Sequence, residues 1–215
     1  MLIVSNIVSL DGYVAGPDGD STVLPMDSAF DAYNAERLRS ADRLLVGANS
    51  YTGFAGFWPV VLADPESMVD GIAAHLGDSV PRAEIAARIT GPVSQEIARL
   101  NQAVGKVVVS DRLGPDDLGA WRETTRIVRR ADAHAAVAAL EGETLVFGSR
   151  TLWTDLLAAG LVDELHLMVG PVVLGEGVPA FDGPLPGSLR LTGTRRFDGS
   201  DNVLLRYASD STRND

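Results

Sequence analysis

Thr144-Leu145-Val146-Phe147-Gly148-Ser149-Arg150-Thr151-Leu152 is the segment most informative about the architecture. A short buried-strand pattern stops at a glycine, and a helical pattern running from Thr151 to Ala159 follows within a few residues. Strand running directly into helix opens a crossover, which in one sheet is right-handed and joins parallel strands. The first turn of such a helix presents unpaired backbone amides and the positive end of its dipole, where an anion is favoured. Gly148 would let a pyrophosphate approach the backbone, Ser149 and Thr151 would add hydroxyl donors, and Arg150 would add charge. The same residues also suit a plain turn in which Ser149 caps the helix, and the motif is far less specific than a full dinucleotide fingerprint.

The junction recurs upstream. Val46-Gly47-Ala48-Asn49-Ser50-Tyr51 again takes a buried strand through a glycine to small polar residues at a helix start. Val109-Ser110-Asp111-Arg112 places a hydroxyl and a guanidinium just past the end of the strand Lys106–Ser110. Parallel sheets bind ligands beyond the carboxyl ends of their strands, so three ends of this composition favour a nucleotide.

Outward from these junctions, β-rich runs alternate with helical patterns. Leu2 to Val8 is almost continuously apolar, as expected of a strand buried on both faces at a sheet centre. A helix is expected over Ser28–Ser40, capped by Asp27 or Ser28, then strands at Arg43–Val46, Thr125–Val128 and Leu165–Val169. Asp132 is placed to cap an alanine-rich helix running to Leu140. Leu189–Phe197 and Val203–Ala208 read as a closing antiparallel hairpin turning at Asp198-Gly199-Ser200-Asp201. Between Pro59 and Gln102 four prolines punctuate weak helical patterns at Ala83–Ile89 and Val93–Leu100, read as a helical insertion in a single domain spanning residues 1–215. The polar end, Ser209 to Asp215, is expected to fray.

Composition bounds the function. The chain has 215 residues, a length suited to one domain that buries roughly 70% of its unfolded surface without staples. It has no cysteine, which excludes thiolate catalysis and cysteine-based zinc sites. A net charge of −11 opposes both a phosphate backbone and an anionic membrane, so neither nucleic acid nor membrane is expected as a partner. Met1-Leu2-Ile3-Val4 begins in strand-like residues with no basic leader, and no run approaches the roughly 20 apolar residues of a membrane span, so a cytoplasmic location is expected. His75, His134 and His166 lack ligand spacing and Asp116-Asp117 reads as a solvated loop, so no metal is expected. The flanks of Ser149 do not fit the Gly-x-Ser-x-Gly elbow of a hydrolase.

Asp11, at the end of the first strand, is the candidate catalytic group: a carboxylate there could protonate or orient a heterocycle, although Asp11-Gly12 is also an ordinary turn. Tyr51 and Trp58 could stack on a planar substrate or simply fill the core.

The run from Gly148-Ser149-Arg150-Thr151-Leu152 through Leu161-Val162-Asp163-Glu164-Leu165 to Pro171-Val172-Val173-Leu174-Gly175-Glu176-Gly177 resembles the C-terminal reductase domain of riboflavin-biosynthesis deaminase-reductases, in the dihydrofolate-reductase-like superfamily. Ser9-Leu10-Asp11-Gly12-Tyr13, the Gly47–Tyr51 junction with Trp58-Pro59, and Lys106–Ser110 follow in the family's order, leaving only about residues 62–100 without counterpart. No zinc-deaminase motif precedes them, so the chain resembles a stand-alone reductase domain. The resemblance implies a dihydrofolate-reductase-like, mostly parallel twisted sheet with flanking helices and a C-terminal hairpin, a homodimer, and NADPH as cofactor. It implies pyrophosphate contacts at Gly148, Ser149, Arg150 and Thr151, further cofactor contacts at Gly47, Asn49 and Ser50, and the adenosine 2′-phosphate at Ser110 and Arg112. Asp111 stands where related reductases often carry arginine. Asp11, Tyr51, Trp58 and Phe147 are the candidate substrate contacts; Phe147 departs from the family pattern, since the riboflavin-pathway enzymes carry an acidic residue there. Their Asp-Pro-x-Leu-x-x-Arg motif is also absent, Asp64-Pro65 being followed by Glu66-Ser67-Met68. Two functions are therefore open: an NADPH-dependent reductase of a small heterocycle, resembling the phosphoribosylaminouracil reductase or dihydrofolate reductase, and a non-catalytic nucleotide-binding module serving assembly or sensing.

Overall fold

The computed structural model describes residues 1–209, and residues 210–215 of the polar tail lie outside the described residues. The chain forms β1 (Leu2–Val8), β2 (Tyr13–Ala15), α1 (Ser28–Ser40), β3 (Arg43–Gly47), α2 (Ala48–Ala63), α3 (Pro65–Leu76), α4 (Arg82–Ile89) and α5 (Pro92–Ala103). It continues through β4 (Gly105–Val109), β5 (Thr125–Val128), α6 (Ala133–Ala138), β6 (Thr144–Phe147), α7 (Arg150–Ala158) and β7 (Glu164–Val169). Three strands close it, β8 (Val178–Pro179), β9 (Leu189–Arg196) and β10 (Val203–Ser209).

The main sheet runs β5-β4-β3-β6-β1-β7-β10-β9. Every pairing from β5 to β7 is parallel, while β10 is antiparallel to both β7 and β9. The chain is thus the mixed α/β architecture expected, a mostly parallel sheet with flanking helices and an antiparallel C-terminal pair. Within that pair the second strand, β10, joins the sheet and β9 forms the edge.

The apolar run of β1 is explained by burial on both faces. Leu2, Val4 and Val8 pack with Trp153, Leu156 and Leu157 of α7 and Val137 of α6. Ile3, on the opposite face, packs with Ala35 and Leu38 of α1 and Ile97 of α5. Each such fully buried aliphatic side chain contributes about 1.5–3 kcal/mol of transfer free energy. Asp27, rather than Ser28, caps α1, accepting from the amides of Ala29 and Phe30 at 3.0 Å.

Several local expectations change. The side chain of Asp132 makes no cap bond, and α6 is a short helix ending at Ala138. The stretch at about 59–102 resolves into the end of α2, which runs through Pro59, and then α3, α4 and α5. Val61, Val69, Ile85, Ile89 and Ala98 bury each other there, which holds α2 together despite the amide that proline removes. No local pattern announces the two-stranded ribbon of β2 and β8. Gly177 permits it, because a Cβ at that position would collide with the carbonyl oxygen of Ala15.

The order β4-β3-β6 places three strand ends side by side: Val109, Gly47 and Phe147. Junctions about 100 residues apart in sequence, Gly47 and Ser149, therefore meet.

Candidate active site

Beyond those strand ends lies a cavity of about 680 Å³. One wall is Gly47, Ala48, Asn49 and Ser50, where β3 turns into α2; the facing wall is Ser149, Arg150 and Thr151, where β6 turns into α7. Arg112, after β4, and Arg130, after β5, close one side.

The two turns are welded to each other. Ser149 lies in the left-handed region (φ 52°, ψ 40°), the one non-glycine residue with positive φ among the described residues. Its amide donates to Ser50 Oγ at 2.9 Å, and its own Oγ accepts from the Gly47 amide at 2.9 Å. Ser149 thus occupies the cap position of α7 while its hydroxyl serves α2. Neither α2 nor α7 has a side-chain cap, so two helix N-termini border one cavity with first-turn amides left for a ligand. Such an arrangement fits a pyrophosphate.

Gly148 has a different task from the one its sequence suggests. At φ 55° it makes the sharp turn, and a Cβ there would lie 3.1 Å from Ser50 Oγ, against α2. Its carbonyl accepts from Asn6 Nδ2 at 3.3 Å, tying the ends of β6 and β1 together. Gly47, at φ −82°, has ordinary geometry, and a Cβ there would meet nothing closer than Ser149 Oγ at 3.9 Å. The fold does not need glycine at position 47, whereas a ligand against the backbone would.

The remaining cofactor candidates divide. Arg112 Nη2 donates to Asn49 Oδ1 at 2.6 Å, joining two walls of the cavity. Arg150 pairs with Asp182, and its buried Nε has no acceptor among the described residues. Ser110 does not line the cavity: it is 2% exposed, and its Oγ accepts from the amides of Arg112 and Leu113 at 3.1 and 3.0 Å. Its hydroxyl shapes the turn instead of facing a ligand.

The substrate candidates scatter. Asp11 accepts from Ser9 Oγ at 2.7 Å and from the amides of Leu174 and Gly175 at 3.1 and 2.8 Å. The Ser9 hydroxyl first, and those amides after it, hold its carboxyl below the usual range. Tyr51 is core: 1% exposed, edge-on to Trp121, with its hydroxyl on the Leu118 carbonyl at 2.8 Å and its ionisation pushed up by burial. It cannot stack on a substrate from there. Trp58 packs where three apolar clusters meet, edge-on to Phe57 at 4.8 Å. Phe147, half-buried, packs on the Ile3–Leu145 cluster at the end of β6, beside β1.

Sequence reasoning missed Arg130 and the pair His134–Asp155, whose Nε2 and Oδ2 lie 2.7 Å apart at the cavity wall. Arg130 had a findable signal, since it lies two residues beyond the strand end at Val128. His134 and Asp155 had none.

Residues 1–204 match the RibD C-terminal domain. The chain belongs to that family. A curated relative in Methanothermobacter thermautotrophicus, named 2,5-diamino-6-ribosylamino-4(3H)-pyrimidinone 5′-phosphate reductase, is 24% identical, with 96% of each chain covered. Among solved structures, a riboflavin-biosynthesis protein from Shewanella sp. PV-4 is 20% identical with a TM-score of 0.58, covering 97% of this chain and 98% of its own. Acinetobacter baumannii RibD is 16% identical with a TM-score of 0.57, and this RibD C-terminal chain spans 57% of its length. A pyrimidine reductase-like protein from Corynebacterium diphtheriae is 16% identical with a TM-score of 0.54, covering 97% of this chain and 91% of its own. These structural likenesses bear on the fold. Among the described residues, no helix is long and apolar enough to cross a membrane.

Proposed function

We propose that this RibD C-terminal chain is an oxidoreductase that reduces a small pyrimidine-type heterocycle at the expense of a nicotinamide dinucleotide, NADPH in preference to NADH. The observation that carries the reading is the cavity between two uncapped helix N-termini, flanked by Arg112, Arg130 and Arg150 in a chain of net charge −11. The substrate class is taken from the name of the Methanothermobacter relative.

A bound nicotinamide would supply hydride. This chain's residues would do the rest. Backbone at Gly47 and the first turns of α2 and α7 would hold the pyrophosphate, and the Ser149–Gly47 and Ser149–Ser50 bonds would keep the two turns at a fixed spacing. Asp11, ionised and bound to two amides of the segment after β7, is assigned a positioning role there; a carboxyl held below its usual range is a poor proton donor at neutral pH. Phe147 would present an apolar edge to the substrate side of the β6 turn.

That apolar residue supports the second reading, a binding module without turnover. Titration calorimetry with NADPH and NADH, followed by loss of reduced-nicotinamide absorbance in the presence of aminopyrimidinone ribosyl phosphates, tests both. Binding with turnover supports the reductase, binding with no turnover on any heterocycle supports the module, and absence of binding overturns both. We also propose a homodimer in the cytoplasm. Membership of the RibD C-terminal family supports the dimer, and sedimentation equilibrium at micromolar concentration should give twice 22.7 kDa.

A further inference from the structure

The segments that follow β1 and β7 are zipped to each other, and an ion pair ties them to the cavity. The Leu10 amide donates to the Val172 carbonyl at 2.7 Å, and Tyr13 Oη donates to the Gly175 carbonyl at 3.4 Å. Asp11 accepts from the amides of Leu174 and Gly175, β2 pairs with β8, and the Ala180 amide donates to the Gly12 carbonyl at 2.8 Å. Leu10, Asp11, Val173, Gly175 and Glu176 are exposed, so this unit has little core of its own and belongs to the readily opened part of the fold. It docks on α7 at its far end. Ala180 is buried in the cluster that contains Trp153, and Phe181 lies edge-on to the Trp153 ring at 5.5 Å. The next residue, Asp182, accepts from Nη2 of Arg150, the first residue of α7, on the cavity wall. The Asp182 side chain is 72% exposed and that of Arg150 only 19%. Asp182 engages Nη2 alone, which leaves Nη1 for a ligand.

We propose that Asp182 is a positioning residue for the reduction. It fixes Arg150 on the dinucleotide side and the paired segments that carry Asp11 on the substrate side, so that each ligand strengthens binding of the other. The proposal rests on the cavity being the dinucleotide site. Asp182 lies two residues beyond the Ala180–Gly12 bond, and Gly12 follows Asp11 directly, so restraint at Asp182 reaches the Asp11 carboxylate along a short run of backbone. A phosphate on Arg150 Nη1 would immobilise a guanidinium that already holds Asp182. A unit ordered by the first ligand costs the second less to order, and the coupling is the same in both directions. Its size is set by an ion pair with one exposed partner, which is weak. On the dinucleotide side the Asp182 carboxylate has two opposed effects. Its grip orients the guanidinium toward a phosphate, while its negative charge repels one.

NADPH is titrated calorimetrically into the full chain and into Asp182→Ala and Asp182→Glu, with amide exchange followed at Leu174, Gly175 and Ala180 and KM measured for an aminopyrimidinone ribosyl phosphate. In the parent, NADPH should slow exchange at those amides by about two- to fivefold, the range of an exposed ion pair. Asp182→Ala should bind NADPH within about twofold of the parent, lose the slowing, and raise KM for the heterocycle by about two- to fivefold. Asp182→Glu still presents a carboxylate to the guanidinium and should restore both. Circular dichroism should be unchanged, since the Asp182 side chain is largely in solvent. A merely structural role would lower the melting temperature and weaken both ligands together, and that result overturns the proposal. So does slowing that persists in Asp182→Ala, or a parent that binds NADPH with no slowing at these amides. A parent that binds NADPH and turns over no heterocycle has no reduction for Asp182 to serve, which overturns the role while the cavity reading stands. If the parent does not bind NADPH at all, the cavity reading has failed and takes the proposal with it.

Discussion

Replacing Gly47 by alanine separates the demands of the fold from those of a ligand. At φ −82° and ψ 166° any residue fits the backbone, and the new Cβ would have Ser149 Oγ as its nearest neighbour at 3.9 Å. Two small effects on stability oppose each other. Alanine reduces the freedom of the unfolded chain, which stabilises by about 0.4–1 kcal/mol at a compatible site. It is also a poorer cap residue than glycine, which costs a similar amount, so the melting temperature should stay within about 2 °C for a chain this long. Binding is another matter. The methyl group enters the wall of the cavity at the turn assigned to the pyrophosphate, and displacement of even one amide–phosphate bond costs about 1.5–3 kcal/mol, or roughly 10- to 150-fold in affinity. Gly148→Ala should show the reverse balance. Its φ of 55° costs an L-residue about 1–2 kcal/mol, with a Cβ 3.1 Å from Ser50 Oγ in addition, so this variant melts lower by several degrees. Differential scanning calorimetry and NADPH titration on both variants are the assays. A Gly47→Ala protein that melts like the parent and binds NADPH equally well would refute the assignment of this turn to the ligand.

Ser149→Ala removes the acceptor of the Gly47 amide and should cost about 0.5–1.5 kcal/mol in denaturant unfolding together with a drop in NADPH affinity; a loss of affinity with no loss of stability would contradict the weld between the turns. Asp11→Asn should lower kcat by less than about tenfold, leave the pH profile in place, and raise amide exchange at Leu174 and Gly175; a loss of about a hundredfold with a missing limb in the profile would make Asp11 the proton donor instead. His166 is 1% exposed, bonded to Tyr33 Oη and Glu164 Oε2 at 2.7 Å each, and burial holds its ionisation below the usual range. The unfolded chain takes up that proton near pH 6.5 while the folded one resists, so stability is full above this pH and falls below it. Urea unfolding between pH 8 and pH 5 should show that slope in the parent and lose it in His166→Gln.

What local chemistry dictates was legible along the chain. The unbroken apolar run of Leu2–Val8 required burial on two faces, Asp27 and Ser28 marked a helix start, and a glycine after each of two buried strands marked turns open to an anion. Periodicity and capping act over a few residues, so they are written in consecutive letters. What those letters meet was set by how the strands pair. Strand order placed Gly47 against Ser149, across 102 residues, and turned a plausible cap into a weld between two helices. It pointed Tyr51 into the core and Ser110 into its own turn, and it brought Arg130 to the wall beside Arg112. Asp11 became a clamp because Gly175, 164 residues away, presents its amide there. A side chain's direction depends on which strands lie beside its own, and that pairing is fixed by burial summed over the whole sheet, which no short stretch of sequence records.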